Sequence, residues 1–129
     1  MAGNATEFAE AVEEIEAEFD AVSSEPDGEG GAFVVVESID AGDRWVPDLL
    51  AVEFQILFNY PYAAIYPYYT TPELRRADAG QLPQGLQRVE WRGRQVTQIS
   101  LRSNHWEPQH DTALSKLKQV RHWLQTVPL

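Results

Sequence analysis

The chain has no cysteine among its 129 residues. Disulfide bonds, thiolate metal sites and thiol nucleophiles are therefore excluded for these residues. Basic residues are also scarce, since ten Lys and Arg stand against 20 Asp and Glu and the net charge is −10. Nucleic-acid binding needs clustered Lys and Arg that neutralise phosphates. This charge balance therefore predicts that nucleic acid is not a ligand.

Long apolar runs are missing as well. No stretch approaches the ~18 consecutive apolar residues that suggest a membrane helix. The first residues lack the basic start and apolar centre of a signal peptide. We therefore expect a cytoplasmic protein without a membrane span. The length, together with four Trp, five Tyr and five Phe, is typical of a single domain with its own core.

The charges are unevenly distributed along the chain. Residues 1–53 contain most of the acidic residues and one base, Arg44, whereas the other nine bases lie within residues 75–121. A solvated acidic helix with ordinary surface charge explains this pattern. The alternative is an acidic face that docks a basic partner.

Two segments have the apolar spacing of amphipathic helices. Residues 4–22 and 112–125 each place apolar side chains three or four residues apart, which predicts a helix at either end. The apolar stripes are formed by Phe8, Val12, Ile15, Phe19 and Val22 in the first segment, and by Leu114, Leu117, Val120 and Leu124 in the second. Residues 23–31 (SSEPDGEGG) are rich in helix and strand breakers and are predicted to form a flexible loop.

The middle of the chain is typical of β-structure. Residues 32–39 are apolar and β-branched, residues 50–58 alternate between apolar and polar, and residues 88–91 and 95–101 flank an Arg92-Gly93 turn. Residues 59–72 (NYPYAAIYPYYTTP) contain three prolines, which disfavours a regular strand. They are interpreted as a crossover strapped to the sheet. The alternative is an exposed aromatic surface for a protein partner, with candidate residues Tyr60, Tyr62, Tyr66, Tyr68 and Tyr69.

This order of elements predicts an α+β fold. It comprises an N-terminal helix, an antiparallel sheet of about four strands, an irregular Tyr/Pro crossover, a hairpin and a C-terminal helix. We expect one domain over residues 1–129. Residues 1–24 form the acidic helix, 25–31 the flexible loop, and 32–129 the sheet and C-terminal helix.

Two motifs resemble those of the ubiquitin-conjugating-enzyme superfamily. Tyr60-Pro61-Tyr62 resembles its Tyr-Pro-aromatic turn, although the paired prolines that usually follow are absent. Trp106-Glu107-Pro108 resembles the Trp-x-Pro that precedes the last helix. The segment with Arg102, Trp106, Pro108 and Asp111, and a Trp-Arg-Gly-Arg-Gln hairpin, are closest to the cysteine-lacking prokaryotic family E of ubiquitin-conjugating-like proteins. The resemblance implies a UBC-like fold over roughly residues 32–125.

The resemblance also implies a function. Gln98 stands where the superfamily has its catalytic cysteine, so the expected groove, with Gln98, Asn104, His105 and Trp106, is vestigial. We expect a non-catalytic adaptor of a prokaryotic ubiquitin-like modification pathway, with antiphage defence as one setting. Its implied partners are a ubiquitin-like protein, an activating enzyme of the adenylating type and a metallo-isopeptidase. A generic protein-interaction domain is an alternative.

Other chemistry rests on few residues. Ser100 or Ser103 with His105 and Asp111 can be written as a Ser/His/Asp arrangement, which leaves an atypical enzyme as an alternative. The three histidines, His105, His110 and His122, do not have the spacing of a zinc site, so neither a metal nor a cofactor is predicted. The structural interpretation of the same segment is that Asp111 caps the last helix and that Trp106 packs against Leu114 and Leu117.

Overall fold

The computed structural model describes residues 2–101 and 106–129, with side chains from residue 9 onward. Helix α1 spans Ala2–Glu18 and helix α2 spans Ala113–Thr126. The strands are β1 Val22–Pro26, β2 Ala32–Asp40, β3 Trp45–Val46, β4 Leu49–Ile56, β5 Tyr68–Thr70, β6 Arg75–Arg76, β7 Leu86–Trp91 and β8 Arg94–Ile99. Neither helix is long and apolar enough to cross a membrane.

Six strands form one antiparallel sheet in the order β1-β2-β4-β5-β8-β7, and β3 pairs with β6 in a separate ribbon. The predicted α+β class is confirmed, but the predicted number of about four strands is too low. The two additional strands in the main sheet are β1 and β5, and each lies in a segment that the sequence marked as irregular.

Strand β1 replaces part of the predicted flexible loop. Helix α1 ends at Glu18 rather than at Val22, Ala21 has a positive φ of 55°, and Val22 begins the strand opposite Val36. The strand has a mostly exposed, polar sequence because it lies at the edge of the sheet. Its pairing partner is β2, which lies across a turn, so its local sequence gives little indication of a strand.

The turn between β1 and β2 is held by Asp27. Its carboxylate accepts hydrogen bonds from the backbone N–H groups of Glu29 (2.7 Å) and Gly31 (2.9 Å) and from Nε2 of Gln55 (2.8 Å). A Cβ at Gly31 would lie 2.2 Å from the carbonyl oxygen of Ile56, so only glycine fits there. Residues 27–31 are therefore an ordered turn of defined geometry.

Strand β5 lies inside the sheet, between β4 and β8. The prediction that residues 59–72 lack regular structure is therefore wrong for Tyr68–Thr70. All three residues are buried, and Thr70 Oγ1 donates to the carbonyl oxygen of Ala51 at 2.8 Å. Pro67 directly precedes the strand, where its missing N–H does not interrupt the ladder.

The hairpin of β7 and β8 is confirmed. Trp91 pairs with Arg94, and the two turn residues Arg92 (φ 52°) and Gly93 (φ 78°) both have positive φ. This is the geometry of a two-residue type I′ turn, whose twist matches that of the flanking strands.

The core lies between one face of the sheet and the two helices. Ile15 of α1, Phe19 directly after this helix, and Leu117 of α2 belong to one buried cluster with Val34 and Phe54 of the sheet. We call this face of the sheet the inner face. The outer face is not covered by either helix. On this face Glu53 of β4 pairs with Tyr69 of β5, and Phe33 of β2 lies one pleat away from Glu53.

Helix α2 begins with a capping box formed by Thr112 and Ser115. Thr112 Oγ1 accepts from the Ser115 N–H at 3.0 Å, and Ser115 Oγ accepts from the Thr112 N–H at 2.8 Å. The prediction that Asp111 caps this helix is wrong. Its Oδ2 instead accepts from the Glu107 N–H at 2.8 Å and closes the preceding turn. The hydroxyl of Thr112 lies at the cap position and makes the bond that Asp111 was expected to make.

Candidate functional site

Gln98 lies on β8, in the middle of the sheet. It is paired with Tyr69 of β5 on one side and with Gln87 of β7 on the other. Its Nε2 donates to Ser100 Oγ at 2.9 Å. A side-chain amide that is hydrogen-bonded to a neighbouring hydroxyl offers no nucleophile for an acyl group.

The predicted Ser/His/Asp arrangement is only partly described. Ser100 accepts its bond from Gln98, and its own N–H donates to the carbonyl oxygen of Gly85 at 2.8 Å. Asp111 holds the turn that starts at Glu107. Ser103, Asn104 and His105 lie outside the described residues, so their roles in catalysis or in the vestigial groove stay predictions.

The two motifs that carry the family resemblance contact each other. Trp106 Nε1 donates to the carbonyl oxygen of Pro61 at 2.6 Å, and the Ala113 N–H donates to Tyr60 Oη at 2.9 Å. Both contacts join residues that are about 50 positions apart in the sequence. The Tyr60-Pro61-Tyr62 turn is therefore bonded directly to the segment that leads into α2.

A cleft of about 300 Å³ lies where these motifs meet. It is lined by Tyr62, Trp106, Glu107, Pro108 and Gln109. Trp106 is half-buried against the core, whereas 75 % of Tyr62 is exposed. The cleft thus combines an anchored aromatic ring with one that is available to a partner.

The five tyrosines proposed as partner contacts fall into two groups. Tyr60, Tyr68 and Tyr69 are buried, so the prediction that they form an exposed surface is wrong. Tyr60 bonds to the start of α2, while Tyr68 and Tyr69 belong to β5 and fill the space beside their strand neighbours. Tyr62 and Tyr66 are exposed.

Two further exposed apolar residues were missed by the sequence analysis. Leu57 and Phe58 follow the end of β4 and are 43 % and 57 % exposed. The alternation over residues 50–58 predicts that both lie in the strand and that Phe58 faces the core. The signal that could have found them is the run Ile56-Leu57-Phe58, which breaks the alternation of β4 directly before the proline-containing turn.

Lys116 is a buried charged side chain on α2, the helix that follows this site. It lies on the inner side of α2, is 1 % exposed, and its Nζ donates to the carbonyl oxygen of Leu101 at 2.6 Å. Burial lowers the pKa of Lys116, and the carboxylate of Asp111 opposes this by raising it. The residue therefore ties α2 to the chain directly after β8.

The described histidines lie apart from a metal-binding arrangement. His110 is largely exposed and lies 3.8 Å from Glu107, and His122 lies on α2. Within residues 9–101 and 106–129, whose side chains the structure describes, no three His, Asp or Glu side chains are grouped so that they could hold a metal ion. His105 lies outside these ranges.

The comparisons with known proteins give one match. The family model described as "Prokaryotic E2 family E" matches residues 9–127. No curated protein and no solved structure matches the chain. The match spans nearly all of the residues described above, including both motifs, the larger part of α1 and all of α2. The chain therefore belongs to the prokaryotic E2 family E, as its Tyr-Pro turn, hairpin and Trp-x-Pro segment predicted.

Proposed function

We propose that this protein is a non-catalytic E2-like adaptor in a prokaryotic ubiquitin-like modification pathway. It binds a ubiquitin-like protein, the activating enzyme of the adenylating type, or both. The observation that carries this proposal is an E2-family chain whose 129 residues contain no cysteine. Transfer of an acyl group as a thioester requires a cysteine thiolate. A metallo-isopeptidase is a third candidate partner, and antiphage defence is a proposed setting.

The proposed docking surface is the exposed part of the Tyr/Pro segment. We call it the 57–66 patch, defined by Leu57, Phe58, Tyr62 and Tyr66, which are the exposed large apolar residues of this stretch. Grouped exposed apolar residues often mark protein-binding surfaces. Tyrosine and phenylalanine supply a large contact area at a low cost in side-chain entropy, which favours them as interface anchors.

The scaffold beneath the patch favours binding without rearrangement. Tyr60 and Trp106 hold the turn through the hydrogen bonds to Ala113 and Pro61. A rigid turn presents Tyr62 beside the 300 Å³ cleft, so a partner does not have to order this segment on binding.

The test is a calorimetric titration of the purified protein against the ubiquitin-like protein and the activating enzyme encoded beside its gene. Phe58→Ala and Tyr62→Ala are each expected to weaken binding by about tenfold or more, as interface anchors do. Leu49→Ala is the matched control, because Leu49 is as exposed as Phe58 (59 % against 57 %) and lies at the other end of β4.

Three results would contradict the proposal. The first is the absence of binding to both proteins. The second is an equal loss of affinity in the Leu49 control. The third is a covalent adduct with the ubiquitin-like protein that disappears in Ser100→Ala or His105→Ala, because this would indicate the atypical enzyme instead.

A further inference from the structure

The outer face of the sheet carries three aromatic rings beneath the tip of the β7–β8 hairpin. Trp91 stacks on Tyr69 with ring centres 4.0 Å apart and planes at 14°, and its edge meets Phe33 at 5.9 Å. Phe33 belongs to β2, and three strands lie between β2 and β7 in the sheet order. The hairpin tip therefore folds back across the outer face.

Arg92 at this tip makes the contacts of a bound cation. Its Cζ lies 3.7 Å from the centre of the Phe33 ring, and its Nη2 lies 2.9 Å from Oε1 of Glu25 on β1. The next arginine, Arg94, pairs with Glu53 of β4. Two groups recognise arginine most specifically. One is an aromatic face beneath the guanidinium, and the other is a carboxylate at the edge of the guanidinium.

A cleft of about 310 Å³ adjoins the Arg92 side chain. It is lined by two apolar residues, two serines and two glutamates, which are Phe33, Val35, Ser23, Ser24, Glu25 and Glu53. The Arg92 side chain is 37 % exposed and that of Glu25 is 62 % exposed. Exposed ion pairs contribute little to stability, so a partner can displace Arg92 without disrupting the core.

We propose that this cleft recognises an arginine side chain of an extended basic polypeptide, and that Arg92 occupies the site within the free protein. Charge complementarity supports this partner, since the net charge is −10 and the carboxylate that Arg92 would release, that of Glu25, belongs to the acidic residues 1–53. An extended partner fits because β1 ends the sheet and, among the described residues, pairs with β2 alone. The proposal uses different residues from the 57–66 patch and goes beyond the adaptor function.

The experiment compares wild type and Arg92→Ala by amide NMR titration with the peptide acetyl-Gly-Arg-Gly-amide. The variant is expected to bind about tenfold more tightly, because the intramolecular competitor is gone. Amide shifts should centre on residues 23–25, 33–35 and 53. Adding Glu25→Gln to Arg92→Ala should reverse most of the gain. The same peptide with citrulline in place of arginine has no charge and should give no saturable shifts.

Arg121→Ala is the matched control, because Arg121 also lies over a phenylalanine, with Cζ 5.2 Å from the Phe19 ring. It should bind the peptide as wild type does. Equal affinities of wild type and Arg92→Ala, or equal binding of the arginine and citrulline peptides, would mean that the contacts of Arg92 only hold the hairpin. Should Arg92→Ala fail to fold by circular dichroism, Arg92→Gln provides the same comparison. This experiment does not measure binding to the ubiquitin-like protein, so the arginine-site proposal and the adaptor proposal can each fail without the other.

Discussion

Tyr60 and Tyr68, two of the three buried tyrosines, are expected to respond in opposite directions to the same chemical change. Tyr68 is fully buried, its ring centre is 4.9 Å from that of Phe54, and its hydroxyl has no hydrogen-bond partner among the described residues. Tyr60 is also buried, but its hydroxyl accepts the bond from the Ala113 N–H. Replacement by phenylalanine removes one oxygen from each and leaves the rings in place.

The expected magnitudes follow from these contacts. A buried hydroxyl without a partner costs about 1–3 kcal/mol of desolvation. Tyr68→Phe removes this cost and keeps the ring contacts, so the free energy of unfolding should rise by about 1 kcal/mol. Tyr60→Phe leaves the Ala113 N–H without its acceptor at the start of α2. The free energy of unfolding should therefore fall by about 1–2 kcal/mol.

The pH dependence gives an independent check. Burial raises the pKa of Tyr68 well above 10.0, and the nearby Tyr60 raises it further. In the unfolded chain, the Tyr68 hydroxyl loses its proton near pH 10. In the folded protein, the same hydroxyl keeps its proton at this pH. The folded state then binds more protons, so this contribution to stability is complete below pH 10 and is lost as the pH rises beyond it. Tyr68→Phe should remove this loss.

Urea unfolding at pH 7, followed by far-UV circular dichroism, measures both effects. The midpoint should move up for Tyr68→Phe and down for Tyr60→Phe, with unchanged slopes. A loss of about 1 kcal/mol or more in Tyr68→Phe would refute the reasoning, because the hydroxyl would then have a hydrogen-bond partner.

Three further substitutions test the turn, the helix cap and the buried lysine. Asp27→Asn should cost about 1–2 kcal/mol through the lost bond to Gln55. Burial opposes the ionisation of Asp27, but the hydrogen bonds to its carboxylate together lower the pKa of Asp27 below 3.8. The contribution of Asp27 to stability is therefore lost as the pH falls through this lowered pKa. Thr112→Ala should cost about 1 kcal/mol in urea unfolding. Lys116→Met should change stability by less than about 1 kcal/mol at pH 7, because the lost bond to Leu101 offsets the removal of a buried charge. The lowered pKa of Lys116 means that wild-type stability should rise relative to this variant as the pH rises toward the unfolded value of 10.5.

Each of these has a contrary outcome. An acid transition of Asp27→Asn identical to that of wild type would exclude Asp27 as a contributor to acid unfolding. Asp111→Ala is the control for Thr112→Ala, and a larger loss in Asp111→Ala would restore Asp111 as the cap. Parallel stability curves of wild type and Lys116→Met as the pH rises toward 10.5 would mean that the pKa of Lys116 is not lowered.

Local patterns were sufficient for both helices and for the hairpin. Apolar spacing along α1 and α2 reports directly on the side that faces the core, as Ile15 and Leu117 show. The Arg92-Gly93 pair predicts its turn because a type I′ turn requires two residues with positive φ, which glycine adopts at no cost. In each of these cases the physical cause lies within a few residues of the feature.

Strands β1 and β5 could not be predicted because their stability comes from distant residues. β5 has three residues and prolines nearby, yet it pairs with β8 about thirty positions later, as in Tyr68 with Ile99. β1 has few apolar residues, and β2 supplies its pairing. Side-chain burial in such strands is decided by the sheet neighbours. For the same reason, no local pattern predicts that the hairpin tip lies against β1 and β2.

The candidate docking site was predicted as a segment but not as a surface. The sequence offered five tyrosines as equals, whereas the structure uses Tyr60 to anchor the turn, buries Tyr68 and Tyr69 in β5, and leaves Tyr62 and Tyr66 exposed. The buried residues create the exposed surface, because the bond from Ala113 to Tyr60 fixes the direction of the turn. A binding defect in Tyr60→Phe would therefore mix a loss of fold with a loss of contact. A defect in Tyr62→Ala at unchanged stability would report on the partner contact alone.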